Sequence, residues 1–427
     1  MMTLSDLLPI RELPNRAARM TLVLALCAVA FCFPARQASA QADYEAVLES
    51  NTAFAFDLYQ RLAAAGDGNL FFSPYSMSMA LAMTYAGARG ETETQMAEAL
   101  HFTLPQAELN PAFAALDAAI RTPPADANVP EEERLILNIA NALWGQEGFP
   151  FRQDYVDLLD RYYNAPLILL DFQTAPEDAR QVINDWVAEK TEDRIQDLLP
   201  EGSVDAMTRL VLTNAIYFYG QWASQFNEGA TADEAFTLLD GTQVMVPMMH
   251  QVAPFGYTAG AGYQAIRLPY TSGQGAMLVI LPDEGRFDDV EAQLNAEFFQ
   301  DVLDDLPTRS VILTMPRWKL EYEVSLDGVL RALGMTDAFD PQAADFSGMA
   351  DLSQAAGNLF ISAALHKAFV SVDENGTEAA AATGIVAGVT SMPITDVTLR
   401  LDRPFIYAIV DGNTGSILFL GRLLDPS

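Results

Sequence analysis

Residues 373–378 read Asp373-Glu374-Asn375-Gly376-Thr377-Glu378, and the stretch after them, Ala379 to Thr395, reads AAAATGIVAGVTSMPIT without a charge. The 427-residue chain carries 57 acidic and 24 basic residues, and this stretch contains none of either. Four consecutive alanines, Ala379 to Ala382, lead into β-branched residues, and no proline occurs before Pro393. That pattern is poor for a fixed loop and acceptable for a strand. On composition alone it also fits a buried helix or strand of the core.

The second half of the chain, to which this stretch belongs, reads mainly as strands. Leu210 to Tyr219 is apolar on both faces, as expected of a central strand covered on both sides. Ala276 to Leu281, Val311 to Met315 and Leu359 to Ser362 read as further short strands. Phe405 to Val410 and Ser416 to Gly421 enclose Asp411-Gly412-Asn413-Thr414-Gly415, a hairpin turn. Helical spacing dominates the first half instead: Phe54, Leu58 and Leu62 recur every four residues, and Val182, Ile183, Trp186 and Val187 form two apolar pairs one turn apart. Ser73 as N-cap and Pro74 at the first position mark the start of a helix whose body, Met77 to Ala88, is rich in small residues. Helices first and strands later predict an α+β fold with large antiparallel sheets, and no linker or repeat divides residues 41–427.

The N-terminus has a different character. Arg11, Arg16 and Arg19 precede the apolar run Met20 to Phe33, and Ala38-Ser39-Ala40 follows, the layout of a signal peptide cleaved after Ala40. The alternatives are an uncleaved anchor and, from Leu24-Ala25-Leu26-Cys27, a lipoprotein acceptor with an ill-fitting Leu before the Cys. Both cysteines, Cys27 and Cys32, lie in this leader, so the exported domain, residues 41–427, is expected to rely on packing alone. Residues 1–40 hold four Arg and two acids, so their removal shifts the net charge from −33 to −35. Such a balance argues against nucleic acid and anionic membrane as partners.

Signs of catalysis are scarce. His101, His250 and His366 are far apart, no HExxH, G-x-S-x-G, S-x-x-K or GxxxxGK pattern occurs, and no metal or cofactor is expected. Gly260-Ala261-Gly262 loosely mimics a dinucleotide fingerprint but reads as an ordinary turn. A hydrolase built on an unrecognised pair among the many carboxylates stays open as an alternative, although no spacing singles out a pair.

With these residues in place, the stretch from Glu374 resembles the hinge and reactive-centre loop of the serpins, the serine protease inhibitor family. The likeness spans nearly the whole chain after the leader. It includes Asn69-Leu70-Phe71-Phe72-Ser73-Pro74-Tyr75-Ser76, Trp186-Val187 with Thr191 and Ile195, and Thr213-Asn214-Ala215-Ile216-Tyr217-Phe218. Leu333-Gly334-Met335, Asp345-Phe346-Ser347-Gly348, His366-Lys367-Ala368, Arg403-Pro404-Phe405 and Gly415 to Arg422 add to it. The resemblance implies a main sheet with two smaller ones, about eight or nine helices and an exposed loop. It implies a monomeric inhibitor, expected to be a prokaryotic one, that a target serine protease cleaves and is trapped on covalently as the loop inserts into the main sheet; the leader adds the expectation that it is secreted or periplasmic.

The resemblance also assigns roles. Glu374, Gly376, Thr377, Ala379, Ala380, Ala381, Ala382 and Thr383 form the hinge; Ser73, Ser76, Asn214 and His366 form the shutter, where sheet strands part; Trp222 marks the breach, where the loop enters. Counting from Glu374 places the reactive bond at Thr390–Ser391, with Val389 and Met392 as alternative cleavage residues. A Thr there suggests an elastase- or subtilisin-like target. Inserted strands alternate faces, so Thr377, Ala379, Ala381 and Thr383 would point toward the core, and all are small and uncharged. Gly376 would act as the pivot and Glu378 would face solvent. A dozen ladder hydrogen bonds at ~1 kcal/mol each would give on the order of 10 kcal/mol, comparable to a domain's stability. Pro111 to Glu133 contains only Arg121 as a base, so heparin binding is not expected. Asn375-Gly376-Thr377 forms a glycosylation sequon whose glycan would obstruct the hinge. A non-inhibitory serpin acting as a binding or storage protein is the leading alternative.

Overall fold

A computed structural model describes residues 44–122, 130, 134–271, 273–355, 357–377 and 397–427. The leader, Ala379 to Thr383 of the hinge and the Thr390–Ser391 bond with its alternatives lie outside the described residues. In chain order the elements begin with α1 (residues 44–65), β1 (Leu70–Phe72), α2 (Pro74–Tyr85), α3 (Gly90–Ala99) and α4 (Gln106–Ile120). Then come β2 (Ile136–Gln146), α5 (Gln153–Tyr163), β3 (Leu167–Leu170), α6 (Pro176–Lys190) and β4 (Leu210–Gln221). The strand-rich part comprises β5 (Ala232–Thr237), β6 (Gln243–Gly260), β7 (Tyr263–Pro269), β8 (Gly275–Pro282), α7 (Phe287–Glu291) and α8 (Ala296–Asp304). It continues with β9 (Thr308–Pro316), β10 (Trp318–Ser325), α9 (Leu326–Ala332), β11 (Ala363–Val372) and β12 (Gly376–Thr377). Last are β13 (Val397–Arg400), β14 (Phe405–Asp411) and β15 (Ile417–Leu423).

Two hydrogen-bonded sheets result, one six-stranded in the order β10-β11-β12-β4-β2-β3 and one nine-stranded running β1-β15-β14-β8-β7-β6-β9-β13 with β5 on β6. The two smaller sheets expected beside the main one share β6, whose 18 residues pair with β5, β7 and β9, so they form one net. Gly260 and Gly262 sit in the β6–β7 hairpin turn, Gly262 at φ +93°, which accounts for the false dinucleotide pattern.

The six-stranded sheet is covered on both faces, as the doubly apolar β4 predicts. Leu210, Leu212, Ile216 and Phe218 point to the main core, while Val211 and Ala215 join Ile183 and Val187 of α6 in a second apolar layer. Alternation along β4 thus assigns its even-numbered residues to the main core and its odd-numbered ones to α6. Helix α2 is buried throughout and starts as read, with the Ser73 hydroxyl accepting from the Ser76 N–H and Pro74 at the first turn.

One strand expectation fails. Leu359 to Ser362 carries strand-like residues but no ladder; the Ile361 N–H donates to the Ala338 carbonyl, and regular pairing with β4 begins only at Ala363. The three apolar residues Leu359, Phe360 and Ile361 record burial, which an irregular lead-in shares with a strand.

Candidate functional site: the seam between β4 and β11

Strands β4 and β11 run parallel and pair directly from Val211↔Ala363 to Tyr217↔Phe369. Above Tyr217 they part. The chain leaving β11 turns at Asp373–Asn375 and returns as β12, which lies between the two strands and runs antiparallel to both: Gly376↔Gln221 and Thr377↔Gly220 on β4, Val372↔Thr377 on β11. The turn is built by Asp373, whose Oδ1 accepts from the backbone N–H of Asn375 (2.8 Å) and Gly376 (3.2 Å). Burial raises the Asp373 carboxyl pKa, and the two N–H groups oppose that rise.

Gly376, the expected pivot, does not have a positive φ here. Space is the requirement: a Cβ there would stand 2.1 Å from the Gly220 carbonyl oxygen and 2.8 Å from the Gln221 Cα. Thr377 is fully buried, with its Oγ1 2.9 Å from the Tyr270 hydroxyl. Tyr270 stacks on Trp222 at 4.9 Å between centroids, and the Trp222 indole N–H donates to the Asp373 carbonyl at 3.0 Å. The Trp222 backbone N–H donates to the Asn375 carbonyl, so the expected breach tryptophan touches the turn through both its ring and its backbone. Glu374 is 2% exposed and lies against Arg317, with Nη2 donating at 2.6 and 2.7 Å, and against the Thr231 hydroxyl. Burial alone would raise its carboxyl; the Thr231 and Arg317 bonds outweigh burial and hold it below the ordinary range.

Where β4 and β11 still pair, the four expected shutter residues meet in one buried network. The Asn214 amide N–H donates to Ser76 Oγ (2.6 Å) and to Asn141 Oδ1 (2.5 Å), and the Asn141 amide donates to the Ser76 carbonyl (3.1 Å). His366 Nε2 accepts from the Ser73 backbone N–H at 3.4 Å, which makes Nδ1 the protonated nitrogen that donates to Asn214 Oδ1. The imidazole is wholly buried and neutral, its pKa pushed down to about 3 by burial. Each polar group here has a partner, so the network seals the seam without an unpaired dipole. His101 and His250 lie elsewhere, beside Asp57 and Glu234 respectively.

Sequence reading missed Asn141, Tyr270, Arg317 and Thr231. Asn141 had a signal, an amide inside the otherwise apolar strand ILNIANALWGQ. Tyr270 and Arg317 had none, because what distinguishes them is a contact more than fifty residues away.

The model of the serpin (serine protease inhibitor) family matches residues 49–426. The chain belongs to the serpins. An uncharacterized serpin-like protein of Thermococcus kodakarensis is 38% identical over 383 residues, covering 89% of this chain and 86% of that one. The leukocyte elastase inhibitor of Xenopus laevis is also 38% identical over 383 residues, covering 88% and 98%. Among solved structures, human thyroxine-binding globulin superposes with a TM-score of 0.79 at 30% identity over 90% of this chain and 99% of that one. The helices and mixed sheets described above are therefore the serpin fold, and β12 lies within its six-stranded sheet.

Proposed function

We propose that this serpin inhibits serine proteases as a suicide substrate and is not itself a catalyst. The observation that carries the reading is the register of β12. Continued downward along β4, the pairing Gly376↔Gln221, Thr377↔Gly220 would bring Thr383 opposite Asn214; continued along β11 from Val372↔Thr377, it would bring Thr383 opposite His366. The two ladders agree because β12 keeps the same offset between β4 and β11 that pairs His366 with Asn214 below it. An inserted loop would thus part β4 from β11, replace their direct pairing and seat the Thr383 hydroxyl in the shutter network.

The faces agree as well. Thr377 points to the core side, so Ala379, Ala381 and Thr383 would follow it over Phe218, Ile216 and Asn214, a tightly packed layer that admits small side chains. Cleavage at Thr390–Ser391 by an elastase- or subtilisin-like protease would release the strand, and the leukocyte elastase inhibitors among its relatives support that target class. Residues 1–40 are proposed to be an export leader removed after Ala40, which N-terminal sequencing of the product would check, leaving a monomeric exported domain.

Incubation with elastase-, subtilisin- and chymotrypsin-like proteases tests the reading. An SDS-resistant covalent complex is expected; turnover of the loop without any complex would overturn it. Structural likeness to thyroxine-binding globulin favours a second reading, a carrier that keeps the fold without inhibition. A thermal stability that does not rise after loop cleavage would support the carrier.

A further inference from the structure

The chain contains a single Asn-Gly dipeptide, Asn375-Gly376, at the turn that leads into β12. Glycine offers no Cβ to shield its backbone nitrogen, so Asn-Gly is the dipeptide most open to attack of that nitrogen on the preceding side-chain amide. No hydrogen bond among the described residues holds the Asn375 side-chain amide, whereas the peptide groups around it are held on every side. The Asn375 carbonyl accepts from the Trp222 N–H at 2.9 Å, the Gly376 N–H donates to Asp373 Oδ1, and the Gly376 carbonyl accepts from the Asp373 N–H at 2.9 Å. We propose that Asn375 is a self-modification site whose deamidation is blocked while β12 is seated and proceeds when it is not, so that isoaspartate formation permanently unseats the hinge.

The chemistry balances without any outside oxidant or cofactor. The Gly376 nitrogen attacks Asn375 Cγ; the new N–Cγ bond forms as the Cγ–amide bond breaks, and the amide leaves as ammonia with the proton from Gly376. Water then opens the cyclic imide at one of its carbonyls, giving aspartate or isoaspartate. The imide nitrogen carries no hydrogen, so the bond from Gly376 to Asp373 is necessarily lost on the way. Seating opposes ring closure for that reason, and because Gly376 has no room to move against the Gly220 carbonyl. Isoaspartate adds one carbon to the main chain between Asn375 and Gly376, where a two-residue strand must match partners on both sides. It also places a third carboxylate beside the half-buried Asp373 and the buried Glu374.

The test ages the full chain in mildly alkaline buffer and quantifies isoaspartate at residue 375 by enzymatic methyl labelling and peptide mapping. Wild type is compared with Thr377→Arg, which cannot seat β12 yet keeps the dipeptide, with Tyr270→Phe, which weakens seating mildly, and with urea-unfolded wild type. Conversion in Thr377→Arg should match the unfolded chain and exceed folded wild type at least ~10-fold, with Tyr270→Phe between them, as expected when local opening limits the reaction. Equal rates in folded wild type and Tyr270→Phe and in the unfolded chain would overturn the gating; absence of conversion from every sample would overturn the site. Aged protein is also expected to lose inhibition, which rests on the inhibitory reading above: fresh protein that forms no covalent complex would sink that reading and leave the labelling result standing.

Discussion

From Val211 to Tyr217, β4 lies directly against β11, and a polar network contributed by β2, β4, β11 and the start of α2 seals the join. Three residues further along, at Gly220 and Gln221, the neighbour of β4 is the two-residue strand β12, held by Tyr270, Trp222 and the Glu374–Arg317 pair. The same two strands are thus closed at one end and parted at the other. In the closed half, hydrogen bonds between side chains join layers; in the parted half the chain's own returning segment fills the gap. Both seals use neutral or paired groups that can exchange partners, which is what a sheet needs if it is to admit a strand without stranding a buried dipole.

Four changes would break or sharpen this contrast. Asn214→Ala should have the largest effect at neutral pH, because it leaves His366, Ser76 and Asn141 short of buried partners; a loss of about 3 kcal/mol in chemical denaturation is expected. Gly376→Ala should act only on the parted half. Its methyl would collide with the Gly220 carbonyl, costing about 2 kcal/mol or unseating β12, and hydrogen exchange should rise at Gly220 and Gln221 while the closed half stays protected.

The closed half should also respond to acid. His366 titrates near 6.5 when unfolded and near 3 when folded, so its contribution is complete above pH 6.5. That contribution fades as pH falls toward 3, by up to ~1.4 kcal/mol per pH unit. His366→Gln should remove that part of the slope from a plot of unfolding free energy against pH; an unchanged slope would place the proton elsewhere. Tyr270→Phe should have the smallest effect, about 1 kcal/mol, with Thr377 exchanging faster and the pH slope intact.

Much of the scaffold was legible because its causes are local. The Ser73-Pro74 start of α2, the doubly apolar β4 and the Asp411–Gly415 turn each follow from residues adjacent in sequence. The Leu359–Ser362 misreading has the same root, since local apolar character reports burial and not pairing. The site was legible only where a family pattern joined distant residues. Ser73, Asn214 and His366 are separated by more than a hundred residues from one another, and nothing in their own neighbourhoods says that they meet. The space that Gly376 needs was not legible, because a close backbone approach from β4 leaves no trace in the sequence around the glycine.

The register of insertion offers the sharpest test. If the loop is cleaved and the structure of the product determined, Thr383 should lie between Asn214 and His366, with a strand from Gly376 onward antiparallel to both β4 and β11. A cleaved protein in which Val211 to Tyr217 still pair directly with Ala363 to Phe369 would contradict it.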